Sequence, residues 1–275
     1  MTITYRTLHT TADLWRVFKL EKTIWARGVD DAVSPQIMAA ILHNGGVVVG
    51  AEDGDRLIGF AFGVPGFQGG SVWLWSHTTG VLPEYQRQGI GAGLKFKQRE
   101  WALDYGYTLI GWSFDPLQRR NASFNFRKLG VIVTSYAENL YGAMEDDFNR
   151  GMQSDRFKAA WVLDSPRVKA ATEGKWLPPI TDDFPDSAFL LRRRGDDLHV
   201  AGNLPESPLL FVEIPYDLAA LKADDLSRAQ HWQMMVRGAM QQALKAQYAV
   251  VDVVTQGERC WYVLQHQDDF TAYFG

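Results

Sequence analysis

The sequence predicts an α/β fold, a mixed central sheet with helices on both faces, carried by about the first 140 residues and followed by a smaller α/β unit. Three observations predict it. Short apolar segments with period-two alternation lie between residues 47 and 82 and break at turn signals such as Asp53-Gly54-Asp55. Segments with helical spacing and helix-start residues precede them. A glycine-rich turn, Gly89-Ile90-Gly91-Ala92-Gly93, leads from the last of these strands into a helix assigned from that turn and from its length.

In chain order, 3–8 reads as a strand. Residues 11–26 read as an amphipathic helix, with Leu14, Val17, Phe18 and Trp25 at roughly helical spacing. Ser34-Pro35 is an N-cap followed by proline at the first helical position, and the helix it opens ends near Asn44-Gly45-Gly46. Residues 47–52 and 57–64 form a hairpin, 65–70 a loop, and 72–82 a third strand. Alternation places Trp73, Trp75, His77, Thr79 and Val81 on one face of that strand. A helix over 89–105, a strand over 107–114, a break at Pro116, a short helix over 121–129 closed by Gly130 and a strand from 131 complete the order β-α-α-β-β-β-α-β-α-β.

Beyond this, 157–163 reads as a strand, and 165–187, with Pro166, Pro178, Pro179 and Pro185, as a linker. Strands follow at 189–191, 198–201, 209–214, 249–255 and 260–265, with a helix over 226–248. The expected domains are 1–145, an extension and linker over 146–187, and a C-terminal α/β unit over 188–275. No internal repeat is evident, and the role of the C-terminal unit stays open: a cover for the acceptor site, a subunit contact or a degenerate copy of the first fold.

Hydrophobic residues make up 46% of the chain and charged residues 22%, the composition of an ordinary globular protein. The net charge of −4 and the lack of a basic block argue against nucleic acid as a partner. Arg192-Arg193-Arg194 is followed by Asp196-Asp197 and reads as a solvated strand end. Cys260 is the only cysteine, so no disulfide can form within the chain and a cytoplasmic location is expected. No His/Cys cluster has zinc spacing, so no metal is expected. No signal peptide and no apolar run of about 18 residues is found, so no membrane partner is expected. An oligomer is compatible with the sequence.

The turn after residue 82 carries the chemistry. A strand ends at Leu82, Pro83-Glu84-Tyr85 follows, and Gln86-Arg87-Gln88-Gly89-Ile90-Gly91-Ala92 opens a helix. The first turn of a helix offers free amides and the positive end of the dipole, where phosphates bind. The spacing Q-x-x-G-x-G is neither a Walker loop nor the dinucleotide fingerprint.

The segment Val81 to Gly91 resembles motif A of the GNAT acyltransferases. Arg119-Arg120-Asn121-Ala122-Ser123-Phe124-Asn125-Phe126-Arg127-Lys128-Leu129-Gly130 resembles their motif B, at the family's separation. The continuation into Asn139-Leu140-Tyr141-Gly142 is similar to a little-characterised bacterial branch of predicted acetyltransferases. The resemblance covers about residues 1–145. It implies acetyl-CoA or another acyl-CoA as the donor, with its pyrophosphate on the amides of Gln86, Arg87, Gln88, Gly89, Ile90, Gly91 and Ala92. Its pantetheine arm would run beside Val81 and Leu82, and Asn121 would supply a second contact. This sequence departs from the family at two places: Arg119 stands where motif B usually has Asn, and Phe126 where a Tyr often protonates the leaving thiolate.

Amide formation from a thioester needs a base to deprotonate the amine and a donor for the oxyanion. His77 is the preferred base, since relatives such as arylalkylamine acyltransferases place a His at a comparable point; the competing reading is a structural imidazole beside Trp75. Asp115, just before Pro116, is a second candidate, as ammonium binder or as base through water, against a turn-capping role. Tyr141 or Tyr136 would replace the missing acid, against a role in aromatic packing, or solvent would supply the proton. The expected function is N-acyl transfer, acetyl first, to a small-molecule amine, with amino acids among the acceptors. The alternatives are a succinyl-CoA-using enzyme and a non-catalytic acyl-CoA-binding regulatory module.

Overall fold

The computed structural model describes residues 2–25, 32–144, 149–175 and 184–267. Two compact units result, Met1–Trp112 and Ser113–Gly275, and the division falls inside a strand.

The first unit comprises β1 (Ile3–Thr7), α1 (Thr11–Trp25), α2 (Pro35–His43), β2 (Val47–Asp53), β3 (Arg56–Gln68), β4 (Ser71–Val81), α3 (Ile90–Tyr105) and β5 (Leu109–Phe114) up to Trp112. The sheet order is β1-β2-β3-β4-β5, antiparallel except for β4 with β5. This is the predicted element order. Residue 26, expected to end the first helix, lies outside the described residues.

Local chemistry sets the helix ends. At α1, the Thr10 hydroxyl accepts from the Asp13 amide at 3.1 Å and donates to the Asp13 carboxylate at 2.9 Å. At α2, the Ser34 hydroxyl accepts from the Ile37 amide with Pro35 in the first turn, as expected. Helix α3 is entered and left through left-handed glycines, Gly89 at φ 82° and Gly106 at φ 103°.

The sheet of this unit is covered on both faces. Leu94 and Gln98 of α3 lie against Gly59 and Gly63 of β3. On the other face Trp25 of α1 packs edge-on to Phe60 and fills the space beside Gly80. Two details differ from the sequence reading. Strand β3 runs through Pro65, which pairs with Leu74, instead of ending at 64. Strand β2 pairs with β3 only as far as Gly63, so beyond it β3 has one partner and tolerates an imino acid. The other concerns β4: Phe62 pairs with Thr78 but Gly63 pairs with Ser76, leaving His77 as an inserted residue. This β-bulge breaks the expected single face over 73–81. Trp73, Trp75 and His77 share one face, and Thr79 and Val81 turn to the other.

The second unit contains the end of β5, α4 (Arg119–Ser123) running into a π-helical segment Phe124–Leu129, β6 (Ile132–Ala137), β7 (Arg156–Val162), α5 (Pro166–Thr172), β8 (Phe189–Arg194), β9 (Asp197–Val200), β10 (Leu209–Ile214), α6 (Leu218–Asp224), α7 (Leu226–Lys245), β11 (Tyr248–Gln256) and β12 (Arg259–His266). Its strand order is β7-β6-β11-β12-β10-β8-β9. Gly130 closes the π segment at φ 73°, the predicted left-handed cap.

The expected domain limits at 145 and 187 do not coincide with the division into compact units. Residues from 113 onward are tied to the C-terminal strands by buried polar contacts. Tyr262 donates to the Pro116 carbonyl at 2.6 Å, and Trp161 Nε1 to the Leu129 carbonyl at 2.7 Å. Arg127 makes a bidentate pair with the buried Asp252. The second unit is therefore the longer one. The expected linker 165–187 begins with helix α5, whose Pro166 is a first-turn proline beside the Ser165 cap, not a break. Buried Arg167 of α5 donates to the carbonyls of Gly130 and Val251. Pro178 and Pro179 lie outside the described residues. The helix expected over 226–248 is α7, ending at Lys245, and α6 precedes it unforeseen.

Candidate active site

In the first unit, β4 delivers the chain to a 3₁₀ turn, Pro83–Tyr85, and then to the glycine-rich loop. The Leu82 amide donates to the Ile58 carbonyl at 2.9 Å, and the Gln86 side chain donates back to the Val81 carbonyl at 3.1 Å. Tyr85 donates to Asp53 at 3.0 Å, and Gln88 Nε2 to the Glu84 carbonyl at 3.1 Å. The side chains thus order the loop, while Gln86 to Gly89 themselves are exposed. Arg87 and Gly89 both have left-handed backbones, φ 62° and 82°, which turns successive amides outward. Among the described residues, the amides of Arg87, Gln88, Gly89, Ile90 and Gly91 have no protein acceptor. Ala92 and Gly93 already bond back to Gly89, so the free amides form one row at the α3 N-terminus. A row of this kind fits a pyrophosphate.

Within this unit β4 pairs with β5 through Leu74–Ile110 and Trp75–Gly111, whereas its continuation from Ser76 to Val81 is paired on the β3 side. His77 stands on this stretch, exposed, with its ring edge-on to Phe62 at 6.0 Å. It is not on the face of Val81, as alternation had placed it. Behind it lies a group the sequence reading missed. Lys95 of α3 is 4% exposed, and its Nζ donates to Ser76 Oγ at 2.7 Å and lies 3.8 Å from the centre of the Trp112 ring. Burial pushes its amine down to about 7.

In the second unit, an open cavity of about 1040 Å³ lies among β5, α4 and α6. Ser113, Asp115, Arg119, Arg120, Asn121 and Arg156 are among its lining residues, with Tyr216 and Lys222 from around α6. Asp115 is half-buried and accepts from the Leu117 amide at 2.8 Å, the turn-capping contact weighed above. Burial raises its carboxyl pKa, while that hydrogen bond and the charge of Arg156 oppose the rise. Asn121 is exposed, and its Oδ1 accepts from Asn125 at 3.2 Å. Tyr141 is exposed, shares a 2.8 Å hydrogen bond with Ser113 and lies 5.5 Å beneath the Arg156 guanidinium. Asp115 and Tyr141 are thus brought to one cavity, the latter through Ser113. Tyr136 instead donates to buried Asp155 at 2.5 Å, and burial with that bond holds its phenol protonated far above the usual range. Phe126 is fully buried and packs edge-on against Phe114 and Tyr262, so no acid stands at that position.

Among the described residues no group of three or more His, Cys, Asp or Glu is placed to hold a metal, and no helix is long and apolar enough to cross a membrane. Cys260 is buried and its thiol is pushed up to about 11.

Comparison with known proteins bears on the same segment. Residues 11–130 match the model of the acetyltransferase (GNAT) family. No curated protein matches the sequence. Among solved structures, the Salmonella typhimurium protein yncA, determined with its cofactor acetyl-CoA, is 17% identical with a TM-score of 0.49, over 60% of this chain and 95% of that one. The ribosomal-protein-S18-alanine N-acetyltransferase of Escherichia coli is 17% identical with a TM-score of 0.47, over 59% of this chain and 94% of that one. An aminoglycoside acetyltransferase from an uncultured soil metagenomic sample, in complex with sisomicin, is 16% identical with a TM-score of 0.40, over 44% of this chain and 84% of that one. Residues 11–130 are thus similar to the acetyltransferase (GNAT) family, within a mixed α/β protein that carries a further α/β portion after them in the chain.

Proposed function

We propose that the chain is an acyl-CoA-dependent N-acyltransferase that moves an acyl group, acetyl first, to the amine of a small molecule, amino acids among the candidates. The observation that carries this reading is the row of unpartnered amides from Arg87 to Gly91 at the α3 N-terminus, inside the segment that matches the family. Those amides would hold the pyrophosphate, with Val81, Leu82 and Ala92 lining the same loop; Asn121 is proposed as a donor contact on the motif B resemblance alone. When bound, acyl-CoA supplies an activated thioester. The amine must be neutral to react, and His77, exposed on the bulge, is the proposed base. Asp115 would hold the incoming ammonium in the cavity or act as base through water. Tyr141, hydrogen-bonded to Ser113, or solvent would supply the proton that Phe126 cannot.

A second reading is favoured by that buried Phe126: a module that binds acyl-CoA without turnover. A donor that bears a carboxylate, such as succinyl-CoA, is the other alternative. The deciding experiment incubates the protein with acetyl-CoA or succinyl-CoA and a panel of amines, following free thiol, with CoA binding measured by calorimetry. Amine-dependent thiol release is expected, slowed about 10²-fold in a folded His77→Gln variant. Binding without release across the panel favours the module. Absence of both overturns either reading.

A further inference from the structure

Helix α3 turns two long polar side chains inward, Lys95 and Gln98, one turn apart and both buried. They converge on one point of the sheet. Lys95 Nζ reaches Ser76 Oγ at 2.7 Å. An ideal Cβ on Gly63 would come 3.0 Å from Gln98 Nε2, so the glycine leaves the room that the amide fills. Gly63 and Ser76 are cross-strand partners, and theirs is the last regular pair before the bulge. The inserted residue is His77. The bulge therefore carries an imidazole on one face and has a buried amine behind it on the other.

Packing alone does not call for an amine at this place. Among the described residues no carboxylate pairs with Lys95, and its other neighbour is the face of Trp112. A methionine would fill a similar volume without desolvating a charge. What the amine adds is the hydrogen bond to Ser76, the residue immediately before the insertion. A bulge re-aims the residues around it, and a slip of one position would send each following side chain to the opposite face.

We propose that Lys95 is a positioning residue: through Ser76 it fixes the β4 bulge and with it the direction in which His77 is presented. Its kinetic consequence rests on the acyltransferase reading above, and its structural consequence on the bulge alone. The buried amine, with a pKa brought down to about 7, can make this bond in its neutral form at physiological pH.

The test compares Lys95→Met, Ser76→Ala and the double variant, each checked for folding by circular dichroism and thermal melting. Expected are a kcat lower by roughly ten- to a hundredfold, as for a misplaced catalytic group, and an unchanged KM for acyl-CoA. The double variant should be no worse than Lys95→Met, because the two residues act as one unit. The imidazole resonances of His77, followed by NMR through a pH titration, should shift in each variant. Folded variants with wild-type kcat and unmoved His77 resonances would overturn the proposal. If the wild-type protein turns over no amine, the acyltransferase reading fails and the His77 resonances still decide. If Lys95→Met does not fold, Ser76→Ala carries both readouts.

Discussion

Arg119 lies over the ring of Tyr216, 4.1 Å from guanidinium carbon to ring centre, and its Nε donates to the Tyr216 carbonyl at 3.0 Å. The first residue of α4 is thereby clamped to the residue before the α6 cap, Asp217, whose carboxylate accepts from the Ala220 amide at 3.0 Å. The clamp forms part of the cavity wall and uses the residue that departs from the family pattern.

Replacing it tests which ligand the cavity takes. Arg119→Ala should lower stability by about 1 kcal/mol, from a half-exposed cation–π contact and one hydrogen bond, read as a shifted urea midpoint at constant slope. With an acceptor in the cavity, the variant should raise the KM for the amine and leave CoA affinity within about twofold. A CoA affinity that falls while the acceptor KM stays constant would place Arg119 on the donor side instead. Arg119→Lys should not restore the clamp, because an ammonium lacks the planar face that stacks on Tyr216.

The glycine-rich loop makes a sharper forecast. Gly91 has no left-handed backbone, in contrast to Gly89 at φ 82°, so a side chain there introduces no strain of that kind. Gly91→Glu should therefore fold, yet place a negative charge among the amides assigned to the pyrophosphate. CoA affinity should fall at least about tenfold, roughly 1.4 kcal/mol. Unchanged calorimetric affinity in a folded variant would remove the loop from the site.

The loop was legible in the sequence because glycine and proline signals are local: Ser34-Pro35, the Gly89 turn and the Gly130 cap each act on their own backbone. The His77 bulge was not legible, since alternation assumes an unbroken register and the slip is set by pairing with β3. Lys95 was hidden for another reason. Gly91, Lys95, Gln98 and Ala102 follow helical spacing, but a lysine on such a stripe reads as solvated until the packing partner is known. Pro166 misled because a first-turn proline and a linker proline look alike in sequence. The cavity was out of reach because α6, which lines it, was not foreseen at all.

The buried amine should leave a signature in stability. Folding lowers the Lys95 pKa from 10.5 to about 7 through burial, so between those values the unfolded chain holds a proton that the folded chain lacks. Stability from this group therefore rises with pH from about 7 to about 10.5, by a few kcal/mol at most, and is flat below that window. Among the described residues, Ser76 and Trp112 face the amine, Tyr5 lies against Gly93, and Glu52 is held by Arg6 and Arg16. Lys95→Met should be more stable than wild type at pH 7, with the advantage shrinking towards pH 10. Urea denaturation at several pH values measures this, and parallel curves for the two proteins would refute a strongly lowered pKa.

Asp115 separates a turn residue from one that handles the amine. Its Oδ1 accepts from the Leu117 amide, and burial raises its pKa above the usual carboxylate value, opposed by that bond and by Arg156. A raised carboxyl pKa means that the folded chain binds the proton more readily than the unfolded one. The group's contribution to stability is then fully present at low pH and is lost as pH rises through the folded value. Asp115→Asn keeps an oxygen for the Leu117 amide and removes the charge, so stability near neutral pH should be equal to or higher than wild type, with the difference fading in acid. Activity should move the other way. If the carboxylate binds the ammonium, the acceptor KM should rise about tenfold, and if it acts as base through water, kcat should fall about 10²-fold. In both cases CoA affinity should hold, since the assigned donor contacts are untouched. An Asp115→Asn protein with wild-type turnover and acceptor KM would reduce Asp115 to a capping residue. The amine would then depend on His77 alone.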